Sequence, residues 1–374
     1  MLKIILFCLL LLPLMAKEKG VKQINYKMSK IGKDMQSLLP YVFNKKKFTD
    51  NKNKAVISSG LKNIIEDLKD TKTHFEKMPI TYQLGQEVIL EHMQDTEKMY
   101  NGGNQEFAAL MLKAGANLCM HCHMQDANKR KLFHGLKRNA FENDYDYAEY
   151  NYMTRNYEEA LKYYNQFISQ TSDQKELNTA LRRKLNIYSV VKKSPAQGVF
   201  SFEKDLENKN ISKLNKEHIH QWIKGLNNWR KEDVLKNKLD SWSDVKALAA
   251  KFLYPLKDRS PFYVEGVDTV TYIRLRSMID DYFFKNPSPE HVPELLYWLS
   301  LSEKALNYSI FYSMSNTYLK TCIKKFHKYP ESKNCYDEYV ENITFSYTGS
   351  GGTSIPEDIQ MELKEFEKLI KPLK

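Results

Sequence analysis

The sequence predicts an all-α protein, and three features carry that expectation. Proline and glycine are sparse, 12 and 14 among 374 residues, so few positions interrupt a helix. Apolar residues return at three- and four-residue intervals over long stretches, which is the period of one helix face. The connections between those stretches are short and polar. Hydrophobic residues make up 42% of the chain, enough to build sizeable cores, and the length calls for two or three domains.

The first element is not part of the fold. Lys3 gives a positive start, Ile4 to Met15 is almost wholly apolar, and Ala16 precedes the charged Lys17-Glu18-Lys19. The apolar run is shorter than the ~20 residues of a bilayer span. Residues 1–16 therefore read as a cleaved signal peptide, which makes the mature protein periplasmic. Leu14 stands where a small residue is usual, and this leaves an uncleaved N-terminal anchor as the alternative.

Four amphipathic segments follow. Met28, Ile31, Met35, Leu38, Leu39 and Val42 form the first stripe, with Pro40 expected to bend or end the helix. Ile57, Leu61, Ile64, Ile65 and Leu68 form the second, and Ile89, Met93, Thr96 and Tyr100 the third. Asn101-Gly102-Gly103-Asn104 then turns the chain, with Asn104 in the N-cap position. Phe107, Leu110, Met111, Ala114, Leu118 and Cys122 are expected to form the inner face of the fourth helix. Four helices with short connections imply an antiparallel bundle whose core suits a cofactor.

Near the end of the fourth helix stands Cys119-Met120-His121-Cys122-His123. C-x-x-C-H is the attachment pattern of c-type haem. Positions three and four apart share a helix face, so two thiols can form thioethers while His123 reaches the iron from the same side. His121 lies off that face. A thioredoxin-like pair would need a βαβ setting, and a structural zinc site would need a second ligand pair; the sequence offers neither. The expected cofactor is one covalent haem c on Cys119 and Cys122, with His123 as axial iron ligand.

Residues 24–126 resemble the cytochrome c′ family, four-helix bundles with haem near the end of the last helix. Met28-Ser29-Lys30-Ile31-Gly32-Lys33-Asp34-Met35 is similar to that family's M-x-x-x-G-x-x-M segment, whose first position faces the distal side of the iron. The resemblance implies Met28 as sixth ligand; core packing is the other role open to this methionine, and Met35 is a second candidate ligand. Two positions depart from the family: Ile24 replaces an arginine one turn before Met28, and Met124-Gln125-Asp126 replaces the basic residue after the haem histidine.

Domain boundaries follow: 17–128 for the haem bundle and 129–374 for a second helical domain. Within the latter, Tyr147-Ala148, Asn151, Tyr157, Ala160 and Tyr164 resemble one tetratricopeptide (TPR) repeat, with Phe167 in place of a small residue. Further helical pairs are expected over 177–202 and 293–339. Stacked pairs of this kind make concave surfaces for protein partners. The run 348–353 is glycine-rich but lacks the Gly-Lys-Ser/Thr ending of a phosphate loop, so it reads as a connection into a last helix near Ser354-Ile355-Pro356. His218 and His220 flank one residue, a weak metal signal.

Cysteine usage completes the picture. With Cys8 in the signal and two cysteines on haem, Cys322 and Cys335 are the thiols left in an oxidising compartment, and a disulfide between them is expected. Net charge is +11, which suits acidic partner proteins or an anionic surface. The lysines are interleaved with Glu and Asp, however, and only Lys45-Lys46-Lys47 is dense. Export and the lack of a binding motif disfavour nucleic acid, and membrane contact is expected to be peripheral or through the uncleaved anchor. Function is expected to be electron transfer with periplasmic redox partners rather than catalysis. A gas-binding or sensing haem protein and an assembly scaffold of a periplasmic redox complex are the alternatives.

Overall fold

The computed structural model describes residues 24–78, 80–123, 135–235, 239–256, 264, 266–285, 288–306 and 314–371; side chains at 45, 80 and 117–123 lie outside that description. The described chain is all-α apart from one two-stranded hairpin. It divides into two compact units, residues 1–163 and 164–374.

The described part of the first unit opens with α1 (24–42), which runs through Pro40 and ends two residues later. A short α2 (Lys45–Thr49) follows, capped by Asn44, whose side chain accepts from the Lys47 N–H. Three long helices come next: α3 (Lys54–Phe75), α4 (Ile80–Asn101) and α5 (Gln105–His123). The expected stripes of α1, α3 and α4 are the buried faces, and they meet in one core with Phe43, Phe48, Ala108, Leu112 and Ala116. At Gly60, a Cβ would lie 2.8 Å from Leu38 Cδ2, so α1 and α3 touch through a missing side chain.

The turn after α4 closes as a Schellman motif. Gly103 takes φ +92°, the Asn104 N–H reaches back to the Met99 carbonyl, and the Gly103 N–H to that of Tyr100. The left-handed position needs glycine. The inner face of α5 differs from the expected one: Phe107 and Leu110 are 47% and 54% exposed, while Ala108, Leu112 and Ala116 are buried. Apolar residues occupy almost every position from Phe107 to Ala116, so periodicity alone does not fix which side faces inward.

Phe141, Tyr150 and Met153 join the same core; the last two lie on α6 (Asp144–Met153). Arg155, at φ 62°, turns the chain into α7 (Tyr157–Gln170). This is the pair read as one TPR unit; Ala148, Ala160 and Tyr164 are all fully buried. The division between the two units falls inside α7, after Tyr163.

The second unit is a succession of helices that pack on their neighbours in the chain. Helix α8 (Gln174–Asn186) passes into a π-turn (Ile187–Val191), and α9 (Pro195–Leu206) and α10 (Lys213–Lys231) follow. Then come α11 (Trp242–Phe252), α12 (Thr269–Lys285) and α13 (Val292–Ala305). The chain ends with α14 (Ser315–Phe326), α15 (Glu331–Ser346) and α16 (Glu357–Ile370). Helix α9 packs on α10, α12 on α13, α13 on α14, and α14 on α15. The glycine-rich run forms a hairpin that pairs Thr348 with Thr353 and Gly349 with Gly352 before α16. Among the described residues, no helix is long and apolar enough to cross a membrane.

Candidate functional site

Helix α5 is drawn close to α4 just before the C-x-x-C-H sequence. A Cβ at Gly115 would lie 3.0 Å from Met93 Sδ and 3.3 Å from His92 Cδ2. The His92 Nε2–H donates to the Met111 carbonyl at 2.7 Å; a carbonyl only accepts, which assigns the proton to Nε2. Burial holds this imidazole below the ordinary histidine range, against the opposing pull of the Met111 bond and of Asp95. A neutral histidine thus pins α4 to α5 about two turns before Cys119.

Helix α5 runs on to His123, so positions 119, 122 and 123 occupy its last turns at i, i+3 and i+4. On the helix, positions 119 and 123 repeat the period of 108, 112 and 116. The side chains of Cys119, His121, Cys122 and His123, and all of residues 124–134, lie outside the described residues. Chemically the donor set fits a covalent haem: two thiols for thioether links and one imidazole for the iron, in a helical register that places them on one side.

Met28 stands on α1, half-buried and packed against the apolar core, whereas Met35 is completely buried. The charges around Met28 are balanced locally. Lys27 Nζ lies 3.1 Å from Asp67 Oδ1 and 2.8 Å from Asp70, and Lys30 Nζ lies 2.8 Å from Asp67 Oδ2. Burial alone would raise the Asp67 carboxyl, but the hydrogen bonds from Lys30 and Lys27 outweigh it and hold the group below the usual range. Asp34, one turn beyond Lys30 on α1, goes the other way: burial raises it, and its Oδ2 has no hydrogen-bond partner among the described residues.

In the second unit Cys322 on α14 and Cys335 on α15 are both buried. Their Cα atoms are 6.3 Å apart and their sulfurs at bridging distance. The short turn at Tyr329-Pro330 is what brings the two helices together. His218 and His220 lie on α10, where the His218 ring stacks on Trp222 with centroids 6.0 Å apart.

Sequence reasoning missed His92 and Asp67. A lone histidine or aspartate within an amphipathic pattern carries no signal until its neighbours from another helix are known. It also missed Lys184, fully buried against Asp205 at 2.5 Å, which by residue type belongs to the surface. Compared with protein-family models, curated proteins and solved structures, the chain matches none.

Proposed function

We propose that this protein is an exported c-type cytochrome that carries single electrons between periplasmic partner proteins. The observation that carries the reading is the C-x-x-C-H sequence in the last turns of a bundle helix that stays helical through His123. Cys119 and Cys122 would hold one haem c, His123 would ligate its iron, and Met28 would supply the second axial ligand. When bound, the haem supplies an iron that moves between ferrous and ferric states. A thioether from Met28 favours the ferrous form and so raises the potential. The core residues of α1, α3, α4 and α5 keep water from the site, and the tight α4–α5 contact at Gly115 limits their relative motion. Residues 17–128 act as the haem bundle, and the helix pairs that follow act as a TPR-like docking surface for acidic redox partners. No residue is then catalytic in the usual sense.

Replacing both Cys119 and Cys122 by alanine should remove covalently bound haem from the denatured chain, read by haem staining and a pyridine haemochrome spectrum. Covalent haem that survives in this variant defeats the reading. Met28→Ala should abolish the weak long-wavelength sulfur-to-iron band of the ferric spectrum and open the iron to carbon monoxide.

One observation favours a second reading. Met28 packs against the apolar core, the same surroundings that a methionine used only for packing would have. In that case the distal side is open and the protein binds or senses a gas. A wild-type protein that is high-spin and takes up carbon monoxide readily decides for this alternative.

A further inference from the structure

The second unit contains a cavity of about 560 Å³ between the π-turn, the end of α10 and one face of α12. This size falls within the range of small-molecule sites. We propose that it binds a small zwitterion with an apolar side chain, carrying one ammonium and one carboxylate group: a free amino acid or a dipeptide.

Its floor is preorganised. The Arg274 guanidinium stacks 3.7 Å above the Trp229 ring and donates to both Asp233 carboxylate oxygens, at 3.0 and 2.9 Å. The Trp229 indole N–H and the Leu235 backbone N–H each donate to the same carboxylate at 3.0 Å. Asp233 is thereby saturated and Arg274 is locked in place. This pair uses two of the five guanidinium N–H groups; the others have no hydrogen-bond partner among the described residues and remain for a ligand carboxylate, which arginine receives well.

The wall opposite is a deviation from regular helix. The π-turn inserts a residue where α8 would otherwise end, an irregularity that recurs at functional sites. It carries Ser189, only 1% exposed, to the cavity lining. Among the described residues the Ser189 hydroxyl has no hydrogen-bond partner, and a polar ligand would supply the missing one. Two residues beyond the turn, Lys193 takes φ 48°, a left-handed conformation unfavourable for a residue with a Cβ, and it too lines the cavity.

Charge decides the ligand class. The lining carries Lys193, Arg274 and Lys285 against Asp233, Asp240 and Asp281, so the two signs balance. Phosphate would meet the carboxylates and a polyamine would meet the cations, whereas a zwitterion complements both. Leu239 and Met278 supply the apolar part of the lining.

Calorimetric titration of the full mature chain with L-leucine and with L-leucyl-L-leucine tests the proposal, with N-acetyl-L-leucine, L-leucinamide and inorganic phosphate as comparators. A zwitterion should bind, and blocking either of its charged ends should weaken binding at least tenfold. Tighter binding of the dipeptide identifies peptides as the source, and equal binding the free amino acid. Lys193→Gly removes an ammonium and suits the backbone at φ 48°, so it should fold normally and bind at least tenfold more weakly. Ser189→Ala should weaken binding severalfold with unchanged melting. Three results overturn the proposal: no heat from either zwitterion at millimolar concentration, blocked analogues or phosphate binding as well as the zwitterions, or both variants binding like the parent.

Discussion

At the scale of single residues, a buried ion pair and a buried histidine tie the fold to charge. Lys184 is wholly buried on α8 and its only described counter-charge is Asp205, at 2.5 Å. Burial holds the lysine below its ordinary range and the aspartate above its own. Removing one partner strands the other, so Lys184→Met should destabilise the second unit by about 3 kcal/mol, while Lys184→Met with Asp205→Leu should recover most of that loss. Urea denaturation of the three chains checks it, and a double variant as weak as the single one contradicts it. His92 makes a pH prediction of definite sign. Its folded-state pKa lies below the unfolded value of about 6.5, so the neutral form is favoured by folding. Its contribution is present above about pH 6.5 and is lost as the pH falls below that value. The first unit should therefore lose stability between pH 7 and 5, followed by thermal unfolding, and His92→Gln should flatten that slope.

At the scale of helices, the contrast between α3 and α5 shows what a sequence can reveal. On α3, Ile57, Leu61, Ile64, Ile65 and Leu68 are separated by charged and polar residues, so only one side can face inward, and those five are buried. On α5 the run from Phe107 to Ala116 is apolar nearly all round, and the choice of face is made by what α4 can accommodate. The small residues Ala108, Gly115 and Ala116 win over Phe107 and Leu110 because close approach requires them. The π-turn was illegible for a different reason: Ile187-Tyr188-Ser189-Val190-Val191 continues the apolar pattern of α8, and only the backbone, where the Lys192 N–H reaches the Ile187 carbonyl, marks the disturbance. Trp229, Asp233 and Arg274 were equally hidden, since Arg274 stands 41 residues beyond Asp233. Glycine positions give the matching prediction. Alanine gains about 1 kcal/mol over glycine inside a helix. At Gly115 the added Cβ meets the flexible Met93 side chain at 3.0 Å and the edge of the His92 ring at 3.3 Å, so a small shift offsets the helix gain and Gly115→Ala should be near neutral. At Gly225 it would collide with the Val267 carbonyl oxygen, a backbone atom that cannot swing aside. Gly225→Ala should then cost about 1–3 kcal/mol net, the range of overpacking, and equal melting temperatures for the two variants would refute the distinction.

At the scale of the whole chain, the all-α class and the helical positions of the N-terminal half were readable because each rests on local pattern. Cys119 to His123 belong to the first unit and Cys322 and Cys335 to the second. The cysteine pair on α14 and α15 is at bridging distance, and a disulfide there would close a short loop worth roughly 3 kcal/mol in the chain-entropy model. Non-reducing peptide mapping should recover the two cysteines in one linked fragment; alkylation of both in the unreduced native protein excludes the bridge. Cys322→Ser should lower the melting temperature of the second unit and leave any haem absorption spectrum unchanged, because the substitution lies in the other unit.

The packing of each helix on its neighbour in the chain, α3 with α4, α4 with α5, α13 with α14 and α14 with α15, has a kinetic consequence. Contacts that are near in sequence form fast, and small helical bundles close in microseconds to milliseconds. On the proposed reading, a cofactor must be joined to Cys119 and Cys122 while those residues are still within reach of the attaching enzyme. Bundle closure and thioether formation are then in a race. Slowing closure, with a variant that loosens α4 against α5, should raise the fraction of chains that mature with haem even as it lowers their stability.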